Sequence, residues 1–188
     1  MGNIRKTDSK KRIRSAFIQI LANKGFDKVS VSEITRLAKI NRGTFYLNYI
    51  DKFDLLDEIE REFFSDIKEI LLQKNKIADH RTIFSNNQIL DIIYYLEENS
   101  ELISALVNSN LKNEMQEKFK ILLTDVFIQL HVNVDSPKID KDYAFEIYFG
   151  SIATIFIFWI QKGMAETPQE LLDIINAYRK LAPLDIFE

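Results

Sequence analysis

The chain of 188 residues is 46% hydrophobic and 28% charged, with only three prolines and five glycines. That balance suits one or two folded domains made of long helices. There is no cysteine, which excludes a disulfide framework, a thiolate metal site and a cysteine nucleophile; a reducing cytoplasm is the expected location.

No secretory leader is legible, because the basic start MGNIRKTDSKKR is not followed by an apolar run. The most apolar stretch, Ile147 to Ile160, has 14 residues. A spanning helix needs about 20, so a buried helix and no membrane association are expected. The net charge of −3 is segregated: residues 1–52 hold 12 Lys/Arg against 4 Asp/Glu, and the remainder is acidic. A basic head suggests a polyanionic partner, with chance segregation of solvated charge as the alternative.

The first helix is predicted over about 7–24, with Ile13, Ala16, Phe17, Ile20 and Leu21 on one apolar face. Gly25 suits a Schellman ending in which Phe26 folds back onto Leu21. Three caps follow: Ser30 with Glu33 as a capping box, then Asn41, then Asp51. Each has a candidate hydrophobic staple: Val29/Ile34, Ile40/Phe45 and Ile50/Leu55. The helices implied are about 31–38, 42–48 and 52–73. A loop is expected over 75–88, then helices at about 88–98, 100–107 and 111–132. After a second loop, a long apolar helix spans about 141–162 and closes at Gly163. Thr167-Pro168-Gln169-Glu170 opens the last helix, with a cap, a proline at the first helical position and a capping-box glutamate. The fold expected is all-α, about nine helices. A helix-turn-helix domain over 1–51 precedes a helical regulatory and dimerisation bundle over 52–188.

Residues 31–48 have the length and spacing of a helix-turn-helix, although spacing alone also suits a plain helical hairpin. At 100° per residue, Phe45 and Tyr49 share the inner side of the second helix. The outer side then carries Arg42, Gly43, Thr44, Tyr46, Leu47 and Asn48, with no acidic residue to repel phosphate. Arg42 can fork onto guanine or pair with phosphate. Gly43 allows close approach, and Thr44 can bond a phosphate or touch a thymine methyl. Leu47 can make only apolar contact, while Tyr46 and Asn48 can donate to backbone oxygens. Lys52 can pair with phosphate, and Ser30 caps a helix whose start also faces the DNA.

The segment from Val29 to Ile59, and within it RGTFYLNYIDKFDLL (Arg42 to Leu56), resembles the signature of the TetR family of transcription regulators. That resemblance implies DNA contacts at Gly43, Thr44, Tyr46 and Lys52. Asn48, Leu47 and Tyr49 depart from the residues common in the family. It also implies that the C-terminal helices bind a ligand and pair two monomers on a palindromic operator. IIYYLEENSELISALVNSN (Ile92 to Asn110), with the spacing of Gly150 and Trp159, is similar to a branch that includes regulators of dihydroxyacetone kinase operons. Some members there act through a protein partner.

Pairing has separate support. The helix at Tyr143–Ile160 is apolar nearly all round, so helices 141–162 and 168–181 suit a homodimer interface, a wholly intramolecular core being the alternative. Candidate lining residues for a small apolar ligand are Tyr94, Tyr95, Phe119, Phe127, His131 and Trp159, each of which also suits ordinary core. Two distant histidines give no metal constellation, and no catalytic dyad, phosphate loop or cofactor motif is present. The reading is a DNA-binding regulator, usually a repressor, that responds to a ligand. The alternative is a protein-interaction module or coactivator of the same fold, governed by a protein partner. An enzyme is not expected.

Overall fold

The computed structural model describes residues 2–73, 84–130 and 139–181. Among them are nine α-helices and no strand: α1 Gly2–Lys24, α2 Val31–Leu37, α3 Arg42–Tyr46, α4 Lys52–Gln73, α5 Asn86–Glu98, α6 Ser100–Val107, α7 Lys112–Gln129, α8 Lys141–Gln161 and α9 Pro168–Leu181. One short 3-10 turn, Phe26–Lys28, joins α1 to α2. Helix α1 begins earlier than expected, since Asn3 to Lys6 contain no proline or glycine and include two good helix formers, Arg5 and Lys6. The chain forms two compact units, one of residues 1–63 with 101–112 and one of 64–100 with 113–188. The first therefore reaches beyond residue 51 and includes a segment from much later in the chain.

In the first unit, side-chain caps set the helix starts. The Ser30 hydroxyl accepts from the Glu33 amide at 3.3 Å. The reciprocal half of that box is not made, because Glu33 turns to Lys24 at 2.5 Å. Asn41 Oδ1 accepts from the Thr44 amide at 2.7 Å. Asp51 Oδ1 accepts from Phe53 and Asp54 at 2.8 and 2.9 Å, and Asp54 returns the favour to the Ile50 amide at 2.8 Å.

Two expected endings differ. Gly25 takes a positive-φ conformation outside the left-handed helical well (φ 74°, ψ 164°), and the Phe26 amide goes to Asn110 Oδ1 at 3.2 Å, so no Schellman bond forms. The Schellman geometry occurs instead in the helix-turn-helix turn. Lys39 sits at φ 53°, with Lys39 N–H on Arg36 O (3.3 Å) and Ile40 N–H on Thr35 O (3.0 Å).

Helix α3 also ends sooner than expected. The Asn48 amide tightens onto Phe45 O (2.9 Å), while its side chain takes Thr44 O (2.7 Å), the partner a longer helix would give to the Asn48 amide. A helix of five residues has no stability of its own. Phe45 and Tyr49 hold it, both buried with Phe17, Ile34 and Leu55 in the core of this unit. Burying a phenylalanine contributes about 1.5–3 kcal/mol.

In the second unit, α5 starts two residues before the expected position. Ser85 and Gln88 form a reciprocal capping box, and Gln88 Nε2 also satisfies Leu71 O at 2.7 Å near the end of α4. Helix α8 has 21 residues, in line with the helix expected over about 141–162, and is long and apolar enough to cross a bilayer by length and composition. Ala144, Tyr148, Phe149, Ile152, Phe156, Trp159 and Ile160 are nonetheless buried within this unit. Gly163, at φ 75°, closes α8 in a full Schellman motif, with Gly163 N–H on Ile160 O (3.0 Å) and Met164 N–H on Trp159 O (2.9 Å). The Thr167–Glu170 box then forms as expected: Glu170 Oε2 accepts the Thr167 amide at 2.8 Å. Helix α9 packs on α5 and α8.

Candidate nucleic-acid interface

The outer face of α3 follows the angular reading. Phe45 is fully buried and Tyr49 nearly so, while Arg42, Gly43, Tyr46 and Leu47 are exposed, and Thr44 and Asn48 are half-buried. Tyr46 is 57% exposed and Leu47 79%. Two further apolar side chains extend this surface: Ile50 is 80% exposed and Phe53 58%. Sequence reasoning gave Ile50 to a staple with Leu55. That staple is not made, because Leu55 is buried while Ile50 stands in solvent. The Asp54 carboxylate on the Ile50 amide fixes the entry into α4 instead. A Cβ on Gly43 would come within 3.3 Å of Asn41 Oδ1, so glycine there also leaves room for the cap.

The charged and polar candidates are preorganised to different degrees. The Arg42 guanidinium donates to the Ser32 hydroxyl of the preceding helix. Ser30 is exposed, with its oxygen on the Glu33 amide. Lys52 donates to Phe26 O (3.1 Å) and Asp27 O (3.2 Å) and stands 4.6 Å above the Phe26 ring. Two of its three N–H bonds are thus directed at protein, leaving one. Asn48 commits an amide hydrogen to Thr44 O, and its Oδ1 is buried without a hydrogen-bond partner.

A polar cluster that sequence reasoning missed braces this surface from behind. The Tyr49 hydroxyl donates to Glu58 Oε1 at 2.6 Å, and Lys10 donates to Glu58 Oε2 at 2.7 Å. Lys10 also lies 5.3 Å over the Tyr49 ring, and Arg14 pairs with Glu62. Burial, then the Glu58 hydrogen bond and charge, push the Tyr49 phenol well above its ordinary range. Burial would raise Glu58, but the hydrogen bonds from Lys10 and Tyr49 and the Lys10 charge outweigh it and hold the carboxyl below its usual value. Three segments, α1, the turn after α3 and α4, are therefore tied through one carboxylate.

Two family models match the chain, "Bacterial regulatory proteins, tetR family" over residues 13–59 and "Transcriptional regulator C-terminal region" over 85–180. The chain belongs to the TetR family. As a TetR-family protein it is a DNA-binding transcription regulator. The "Fatty acid metabolism regulator protein" of Bacillus subtilis is 25% identical to it, over 90% of this chain and 91% of that protein. The uncharacterized HTH-type regulator YxbF of the same bacterium is 18% identical over 85% of this chain but 42% of its own length. An uncharacterized HTH-type regulator of Haemophilus influenzae is 28% identical over 54% of each. The chain thus spans about half, or less, of those last two relatives. Among solved structures, a TetR transcriptional regulator from Streptococcus agalactiae superposes with a TM-score of 0.67 at 21% identity, covering 94% of this chain and 96% of that one. The dihydroxyacetone kinase operon activator DhaS gives 0.54 at 21% identity, covering 93% of each. At these identities the structures show a shared fold.

Five of the six ligand-lining candidates of this TetR-family chain lie among the described residues, in its second unit; His131 lies outside them. Tyr94 is 51% exposed. Tyr95 is half-buried, and its hydroxyl donates to Asp66 at 2.8 Å. Phe119 is buried between Phe156, stacked at 6.2 Å, and Phe64, edge-on at 5.3 Å. Phe127 packs on Phe145 and Phe149. Buried Trp159 donates its indole N–H to Glu166 O at 3.0 Å, bracing the turn after α8. An open groove of about 240 Å³ is lined by Lys120, Ile121, Thr124, Asp125, Asp142, Phe145 and Glu146, none of them among the six. No cluster of His, Asp or Glu suited to a metal occurs among the described residues.

Proposed function

We propose that this protein is a homodimeric cytoplasmic repressor that reads a palindromic operator through α3, its DNA affinity set by a small apolar ligand in the C-terminal helices. The observation that carries the DNA-reading part is the outer face of α3: exposed Arg42, Gly43, Tyr46 and Leu47, free of acid, held outward by buried Phe45. In this reading Arg42, Thr44 and Leu47 meet base edges, while Ser30, Tyr46, Asn48 and Lys52 meet the backbone. The head over 1–51 binds DNA, helped by Lys52 at the start of the 52–188 bundle, which otherwise carries regulation. Dimerisation is supported by apolar side chains that α8 and α9 leave exposed, with Phe158 at 61%, Tyr143 at 69%, Ile147 at 48% and Ile174 at 45%. A two-fold pair of recognition helices requires two half-sites about one helical turn apart. An apolar ligand suits the aromatic candidates Tyr94, Tyr95, Phe119, Phe127, His131 and Trp159, and a relative is named for fatty acid metabolism.

A second reading has a specific motive. Phe119, Phe127 and Trp159 are packed against neighbours, and the open groove at Lys120, Thr124 and Phe145 is lined by other residues. A protein partner would then replace the metabolite, and the structural neighbour DhaS is named as an activator.

Selection from a random-sequence duplex pool tests the main reading. The expected product is a two-fold symmetric site, with Arg42→Ala losing discrimination at one base pair per half-site, a cost of about 1–3 kcal/mol. Recovery of no enriched sequence would refute it. If no apolar compound changes the affinity but one stoichiometric protein does, the second reading replaces the ligand part.

A further inference from the structure

The 3-10 turn Phe26–Lys28 is gripped from two directions. From one side Lys52 donates to Phe26 O at 3.1 Å and Asp27 O at 3.2 Å. From the other, Asn110 accepts the Phe26 amide at 3.2 Å and donates Nδ2 to Asp27 Oδ1 at 3.0 Å. Asp27 is therefore divided: its carbonyl lies on Lys52 and its carboxylate on Asn110. Asn110 lies between α6 and α7, in the later segment that belongs to the same compact unit.

The division matters because of what surrounds Asp27. Lys52 Nζ is already 3.2 Å from the carbonyl of the residue that carries the carboxylate. Once released, that carboxylate has an ammonium within reach of a side-chain rotation. An ion pair there would cancel the charge that Lys52 offers to phosphate and occupy its remaining N–H. Asparagine is suited to prevent this, since one amide accepts from the Phe26 backbone and donates to the acid together. Aspartate at 110 would repel Asp27, and alanine would let it go.

We propose that Asn110 is a positioning residue for DNA binding: it holds the Asp27 carboxylate off Lys52, so that Lys52 keeps a free charge and one N–H for a phosphate. This rests on the reading of Lys52 as a phosphate contact. It extends that reading to a residue distant in sequence, which touches no DNA.

The test is the salt dependence of binding by the full chain to a labelled 30-bp mixed-sequence duplex, read by fluorescence anisotropy over a KCl series. Each phosphate contact contributes about 0.9 to the slope of log K against log salt. Asn110→Ala is expected to lower the slope by about 0.9 per protomer, as Lys52→Ala does. In the Lys52→Ala background Asn110→Ala adds nothing, and Asp27→Asn restores the slope lost by Asn110→Ala. Asp27→Asn alone leaves the slope unchanged, since the carboxylate is already held away. A thermal melt of each variant checks folding, and Asn110→Ser replaces Asn110→Ala if the latter does not fold. An unchanged slope in the Asn110 variant, or slope losses from Asn110→Ala and Lys52→Ala that simply add, overturns the proposal and leaves the DNA reading intact. Salt-insensitive or absent binding by the native chain overturns both.

Discussion

Tyr49→Phe keeps the buried ring and deletes only the hydroxyl that donates to Glu58 at 2.6 Å. A hydrogen bond to a charged partner is worth about 1.5–3 kcal/mol when water cannot replace it. Here the Glu58 side chain keeps Lys10 at 2.7 Å and is 22% exposed, so water can partly substitute. The expected loss is therefore at the lower end, about 1–1.5 kcal/mol. For a chain of this length that is a fall in Tm of about 2–5 °C. The pH dependence follows from Glu58, whose carboxyl is held below its ordinary value in the folded chain. Stability from such a group is complete above the unfolded carboxylate pKa of about 4.5 and drains away as pH falls through the depressed folded value. The gap between native and Tyr49→Phe chains should thus be full at pH 7 and shrink as pH falls from about 4.5 through the depressed folded value, below which Glu58 is neutral in the folded chain and the bond loses its charge assistance. Calorimetric melts from pH 3 to 8 measure it. Equal Tm values at pH 7, or a gap as large at pH 3 as at pH 7, would refute the reasoning.

Other substitutions report on single features. Lys39→Gly relieves a non-glycine residue at φ 53° in the turn between α2 and α3, and should stabilise by about 0.5–1 kcal/mol in urea melts. Asn41→Ala removes the cap of a five-residue helix and should cost about 1 kcal/mol while weakening DNA binding. Phe158→Glu alters an exposed site on α8, so it should leave the helical content unchanged yet convert a dimer to a monomer in sedimentation. Tyr46→Phe should weaken binding to all duplex sequences alike, since it removes a backbone donor; a loss confined to one base position contradicts that role.

What the sequence made legible was local. Caps at Ser30, Asn41, Asp51 and Thr167 act over two or three residues, and all four bonds occur. The inward turn of Phe45 followed from helical angle, and Tyr49, three residues past α3, is buried on the same side because its amide still bonds Phe45 O at 2.9 Å. Features that join distant segments were not legible. Asn110 meets Phe26 across 84 residues, and Glu58 gathers Lys10 from 48 residues away. No pattern along the chain marks either. Glu33 shows how one long-range partner, Lys24, overrides a local motif. Ile50 shows the same for apolar pattern: its spacing to Leu55 suited a staple, but the Asp54 carboxylate took the entry into α4. The aromatic candidates stayed ambiguous for a physical reason, since rings that line a cavity and rings that fill a core share one pattern.

The central claim is that α3 reads DNA. A titration of the native chain against its selected duplex and a scrambled one, at salt concentrations from 50 to 200 mM, tests it most directly (conditions chosen for counterion release). If α3 reads DNA, binding to the selected duplex is tight, affinity for both falls steeply with salt, and the gap between them narrows with Arg42→Ala. Equal affinity for the two duplexes at every salt concentration would contradict it.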